Sequence, residues 1–212
     1  MESSKKYVVE HMEDGIFPWV KLEYLAVSRD VGGGSKFFLT SLKPELYASL
    51  PVELQDSRVV TTTTEEVIML PGLQQLANQG RVCLLDPGAE VDLSPGDAVN
   101  FDYYVFGGIL GDDPPRDRTG ELRRYGFQGR RLGVKQMTTD TAIRVTKMII
   151  EDQLKLNDIE YVDTPEFRWN KHESTEMPFR YVKDKLTGDP VMPEGMRELI
   201  RNDANKSFDD FM

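Results

Sequence analysis

Three short stretches carry most of what this sequence offers for chemistry: Leu85–Gly88 (LDPG), Phe106–Gly111 (FGGILG) and Leu132–Thr141 (LGVKQMTTDT). Each combines glycine, which lets a backbone approach a ligand closely, with apolar or hydroxyl-bearing neighbours. Loops of this make-up suit a flat or crowded ligand whose polar groups are not phosphates. Other chemistries find less support. The two histidines, His11 and His172, are far apart and have no partner at metal-ligand spacing, which argues against a catalytic zinc. Cys83 lies inside an apolar run and reads as a small core residue rather than a thiolate nucleophile. There is no G-x-S-x-G elbow and no G-x-G-x-x-G. The GGGS at 32–35 is not followed by the Gly-Lys-Ser/Thr of a phosphate loop and reads as a turn.

These loops need a scaffold, and Phe101–Ile143 outlines it. Tyr103–Phe106 and Arg131–Val134 read as buried strands, adjacent in the sheet, each delivering its carboxyl end to one crevice, where open α/β sheets bind ligands. The loop Gln136–Thr141 runs into an amphipathic helix expected from about Thr138 to Leu154, so its N–H groups would face the same crevice. Upstream, the pattern predicts strands at Tyr7–Glu10, Lys36–Leu42, Ser57–Thr62 and Arg81–Asp86. Helices are expected from Pro18 to the Gly32–Gly34 turn and at Pro44–Leu50, with a weak one capped by Thr64 and interrupted by Pro71-Gly72. Strands alternating with helices predict a parallel α/β sheet with right-handed crossovers. Downstream, Ile159–Val162 and Arg180–Val182 are expected short strands, and Pro193–Arg201 a last helix before an acidic tail containing Phe208 and Phe211.

The chain has 212 residues, enough for a substantial core. Its single cysteine suits a reducing compartment, and no stretch approaches the roughly 20 apolar residues of a membrane span, so a soluble, cytoplasmic protein is expected. The net charge of −10 disfavours general, stable nucleic-acid binding. Asp112–Lys147 nevertheless carries a net +4, leaving −14 for the rest, a body that would suit a basic partner.

The order of the three loops resembles the SPOUT methyltransferases. The motifs YVVEHMEDG (7–15), RVCLLDP (81–87), FGGILGDDPPRDRT (106–119), RRLGVKQMTTDTAI (130–143), YVDTPEFRWNK (161–171), TEMPFRYV (175–182) and PEGM (193–196) are similar to the fungal protein arginine methyltransferases of that family, which act on a KH-domain protein of the small ribosomal subunit. The resemblance implies an α/β, SPOUT-like parallel sheet with a C-terminal deep trefoil knot, in a domain over 1–155, with 156–212 as an extension packed on it. It implies S-adenosyl-L-methionine as cofactor, held by Leu85 and Pro87, by Phe106, Gly107, Gly108, Leu110 and Gly111, and by Leu132, Gly133, Gln136, Met137, Thr138, Thr139 and Thr141.

The acceptor would be an arginine of a basic small-subunit ribosomal protein. Because a guanidinium stays protonated in water, its site needs carboxylates to grip it and help remove a proton as the new bond forms. Asp112, Asp117 and Glu10, with Glu13 beside it, are the candidates. Arg116 and Arg118 could hold those acids, the cofactor carboxylate or an RNA phosphate. RNA (tRNA or rRNA) methylation is the alternative that the family fold usually implies, and a catalytically silent binder a third. A monomer is expected, because the C-terminal extension could cover the surface through which other members dimerise.

Overall fold

The structure, a computed structural model, describes residues 4–34, 36–108, 119–171 and 173–209. Six strands, β1 (Lys6–Glu10), β2 (Phe37–Thr40), β3 (Thr61–Thr62), β4 (Val82–Leu85), β5 (Tyr103–Gly107) and β6 (Gln128–Arg130), form one sheet in the order β3-β2-β1-β5-β4-β6. Every neighbouring pair is parallel. Apolar side chains alternate to opposite faces, and both faces are covered, as parallel sheets require. On one face Tyr7, Val9, Cys83, Leu85, Tyr104 and Phe106 pack against α1 (Pro18–Val31) and α4 (Thr139–Ile150). On the other, Val8, Val82, Leu84, Tyr103 and Val105 meet Leu73 of α3 (Leu73–Asn78) together with Leu122 and Phe127.

Local chemistry sets the element ends. Pro18 starts α1, where its fixed φ suits the first turn and no N–H is lost to the ladder. Gly32 ends the helix in the left-handed region, φ 94°, where its N–H donates to Ser28 O at 3.1 Å. A short α2 (Pro44–Ala48) follows β2. Beyond α4, β7 (Tyr161–Asp163) pairs antiparallel with β10 (Arg180–Val182), and β8 (Glu166–Arg168) with β9 (Ser174–Glu176). The last helix, α5 (Met196–Asp209), joins Phe167, Met177, Phe179 and Tyr181 in a separate apolar cluster through Met196 and Ile200. Trp19 and Leu22 of α1 pack onto that cluster.

Several expectations are corrected. The run Arg131–Val134 is not a strand: the edge strand β6 lies just before it, at the polar Gln128–Arg130. Gly133 then turns with φ 78°, and Val134 is 88% exposed. An edge strand needs pairing on one side only, so an apolar sequence is not required of it. Nor are the two strand ends adjacent, because β4 lies between β5 and β6. Only Thr61–Thr62 of the expected third strand pairs. Asp56 turns the preceding residues by accepting the Arg58 N–H at 2.9 Å through its side chain and the Val59 N–H at 2.8 Å through its carbonyl. Thr64 caps no helix; a 3₁₀ turn at Val67–Met69 precedes α3, which starts only after Gly72. Helix α4 ends at Ile150, not Leu154, and α5 runs on to Asp209. The β8–β9 hairpin was not foreseen.

Tyr104, at the centre of the sheet, stacks on Tyr7 and meets Phe101 edge to face, yet its buried hydroxyl has no hydrogen-bond partner among the described residues. A buried, unpaired hydroxyl costs about 1 kcal/mol or more. Tyr104→Phe is therefore expected to raise the thermal midpoint by about 2–4 °C, checked by calorimetric melting.

Candidate functional site

A cavity of about 490 Å³ opens beyond the carboxyl ends of β4, β5 and β6, within the usual range for a small-molecule site. Leu85, Asp86, Pro87 and Gly88 form one wall, and Phe106 with Gly107 a second. Leu132, Gly133, Gln136, Met137 and Thr139 form a third, with Ala142 following on α4. The first and third loops singled out in the sequence and the β5 end from which the second departs thus face one space. Their apolar side chains make a lining suited to a flat ring. Gln136 and Thr139 add polar groups.

The first loop is held by an ion pair. Asp86 is 5% exposed and accepts a fork of hydrogen bonds from Arg123, Nε to Oδ2 at 2.6 Å and Nη2 to Oδ1 at 2.7 Å. Thr119 Oγ1 donates to the same carboxylate at 3.0 Å, and the Gly88 N–H at 2.8 Å closes the turn. The Arg123 guanidinium foremost, aided by the Gly88 and Thr119 hydrogen bonds, holds the Asp86 carboxyl below the usual carboxylate range against the opposing effect of burial.

The third loop is held from the C-terminal side. Gln136 O accepts the Arg180 N–H at 2.8 Å, and Met137 bridges to the same residue of β10. Asp163 of β7 receives both Arg180 Nε, at 2.6 Å, and Lys135 Nζ, at 2.7 Å. These cations, Arg180 first, hold its carboxyl far below the usual range. Arg131, in the cavity wall, gives its Nε to Asp92 at 2.6 Å.

Other expected site residues have different places. Thr138 and Thr141 are buried and bonded to each other, Oγ1 to Oγ1 at 2.8 Å, at the start of α4; neither is in the cavity wall. Gly108 extends the β5–β1 ladder, donating its N–H to Glu10 O at 3.1 Å, and a Cβ there would stand 3.2 Å from that oxygen. Glu10 is 3% exposed and lies outside the cavity wall. Its carboxylate accepts Ser41 Oγ at 2.6 Å, the Val67 N–H at 3.0 Å and a hydrogen bond from Thr40. Burial raises its pKa, and those donors oppose the shift. It fastens the ends of β1 and β2 to the turn after β3. Leu110, Gly111, Asp112, Arg116, Asp117 and Arg118 lie outside the described residues.

Sequence reasoning missed Thr119, Arg123, Arg131 and Ala142 as wall residues. Ala142 carried a usable signal, standing three residues after Thr139 on the same helical face. For Arg123 there was none, since its partner Asp86 is 37 positions away.

Residues 6–207 match the family described as protein arginine N-methyltransferase SFM1-like. The protein arginine N-methyltransferase SFM1 of Saccharomyces cerevisiae is 49% identical over 216 residues, covering 98% of this chain and 99% of that protein. The crystal structure of the yeast SFM1 complexed with SAM superposes with a TM-score of 0.85 at 50% identity, covering 95% of this chain and 92% of the other. A full-length Trm10–SAH complex has a TM-score of 0.52 at 14% identity, covering 72% of this chain and 91% of the other, a likeness of fold alone.

Asp86→Asn should cost about 1–3 kcal/mol near neutral pH, towards the lower end because Arg123 is 44% exposed and screened. With its pKa depressed in the folded state, Asp86 stabilises above its unfolded value of about 4, and that contribution fades as the pH falls through the folded value. Denaturant melts at pH 7 and pH 3 should therefore show the variant's deficit shrinking in acid.

Proposed function

The chain belongs to the SFM1-like protein arginine N-methyltransferase family, and from that premise we propose that it transfers the methyl group of S-adenosylmethionine to an arginine side chain of a basic protein. The observation that supports this best is the meeting of the first and third loops and the end of β5 around one cavity, in a chain matched almost end to end by a protein crystallised with SAM. The residues present fit such a ligand. Leu85, Phe106, Leu132, Met137 and Ala142 offer apolar surface for its purine, while Gln136, Thr139 and the loop backbone can serve its polar groups. When bound, the cofactor supplies an electrophilic methyl on a sulfonium. The protein's part is then to hold donor and acceptor in line and keep water out.

The acceptor guanidinium needs carboxylates, and Asp86 is already committed to Arg123. Glu10 is committed to Ser41, Thr40 and Val67, so its role is to support the sheet edge. We assign the gripping and deprotonation to Asp112 and Asp117, in the sequence between the wall residues Gly107 and Thr119, with Arg116 and Arg118 balancing their charge. A small-subunit ribosomal protein suits the chain's net charge of −10. Among the described residues the cations of the cavity wall, Arg123, Arg131 and Lys135, each face a carboxylate, which favours a protein over an RNA phosphate backbone as the acceptor's carrier. We further propose that the chain works in the cytoplasm as a monomer, with residues 156–212 forming an extension whose apolar cluster covers the outer side of α1.

Incubation with methyl-labelled S-adenosylmethionine and either small-subunit ribosomal proteins or total RNA should label protein arginine; label in RNA alone would overturn the reading. Calorimetry should also show Ala142→Phe, which projects a ring into the cavity, binding the cofactor about tenfold more weakly while still melting cooperatively.

A further inference from the structure

Where α1, α4 and β10 pack together, four buried side-chain oxygens have no hydrogen-bond partner among the described residues: Glu23 Oε2, both carboxylate oxygens of Asp140 and the Tyr181 hydroxyl. Glu23 and Asp140 are fully buried, and Tyr181 is 1% exposed. The other oxygen of Glu23 accepts Trp19 Nε1 at 2.9 Å. The remaining groups around the pair are already engaged. Arg144 faces Asp30, Nη2 to Oδ2 at 2.7 Å; Tyr24 bonds His11 Nδ1 at 2.8 Å; Thr138 bonds Thr141.

Two ionised carboxylates cannot be left in such a place without a donor between them. One proton resolves the conflict: it removes a charge, and its O–H supplies the missing hydrogen bond. Asp140 is the better site for the remaining charge. It is the second residue of α4, where the helix N-terminus favours an anion, whereas Glu23 sits mid-helix in α1. The titration directions agree. Burial foremost, then the charge of Asp140, lifts Glu23 well above the usual carboxylate range, while burial pushes Asp140 up to about 6 against the opposing effect of Thr138, Arg144 and the Thr141 N–H, which favour its charged form.

We propose that Glu23 stays protonated at neutral pH and donates its O–H to Asp140, and that this pair, packed beneath Tyr181, positions the third wall of the cavity for its ligand. Asp140 directly follows Thr139 and stands two residues before Ala142, both wall residues. This proposal rests on the reading of the cavity as the cofactor site. Its sign follows from the raised folded-state pKa of Glu23: the stabilisation is complete in mild acid and is lost as the pH rises towards and through that value.

The test uses the full chain and methylthioadenosine, a cofactor fragment with neither the amino nor the carboxyl group, so that no titration of that tail enters. In protein carrying ¹³C in its glutamate carboxyls, Glu23, assigned by its loss in Glu23→Gln, should show the protonated resonance at pH 7; an ionised resonance there overturns the proposal. By calorimetry at pH 7, Glu23→Gln, which keeps an N–H donor, should bind within about twofold of wild type, and Glu23→Leu about fivefold more weakly. Equal affinity in all three would overturn the positioning role, as would Glu23→Gln binding as weakly as Glu23→Leu. Failure of the wild type to bind would overturn the cofactor reading and with it the link to the cavity, while the carboxyl resonance would still decide where the proton lies.

Discussion

The parallel pairing of β5 to both of its neighbours is the constraint on which the rest of the molecule depends. With β1 on one side and β4 on the other, all in one direction, every carboxyl end emerges at the same edge of the sheet. The loops that follow β4, β5 and β6 are then neighbours in space whatever their separation in sequence. Parallel strands also need both faces covered, and α1, α4 and α3 provide that cover. The cavity is a consequence of this geometry. Its position required only that the loops after these strands be rich in glycine and small side chains.

What the sheet places, ion pairs then hold. Asp86 with Arg123 ties the first loop to the turn that precedes β6, and Asp163 with Arg180 and Lys135 ties the third loop to the antiparallel β7–β10 pair. Asp86 is far more buried than Arg123, whereas Asp163 is more exposed than Arg180 and less exposed than Lys135. Removing Arg123 would therefore leave the Asp86 charge with little access to water, the more costly half of such an exchange. The small β7–β10 sheet is thus a buttress for the site through Arg180, not a separate decoration. Glu10 belongs to the same scheme at the carboxyl end of β1. The sequence places an acid at the end of β1, where a catalytic group would be useful, but the fold surrounds it with donors that fasten β1 to β2 and to the turn at Val67.

Much of this was legible beforehand. The strands Lys6–Glu10, Phe37–Thr40, Val82–Leu85 and Tyr103–Gly107 are dominated by apolar residues that mark doubly covered strands, and Pro18 and Gly32 bracket α1. The three loops were recognisable by their glycines and hydroxyls, and most of their residues line the cavity. The edge strand was misplaced because its sequence, Gln-Gly-Arg, lacks any apolar signal; β6 is defined by pairing with Cys83–Leu85 alone. The apolar Leu132 and Val134 beside it drew attention away, although Leu132 serves the cavity wall and the mostly exposed Val134 lies at its margin.

The sequence by itself determined the parallel α/β class, the three loops, the core role of Cys83 and the family to which the chain belongs, because these rest on local periodicity and on long contiguous motifs. The tertiary structure alone decided which charged groups are committed and which side chains share a space. Asp86 meets Arg123 across 37 positions, Lys135 meets Asp163 across 28, and Glu23, Asp140 and Tyr181 come together from three separate elements. No local pattern specifies such encounters. They are set by strand order and helix packing, and burial then decides whether a carboxylate in that place keeps its charge or takes up a proton.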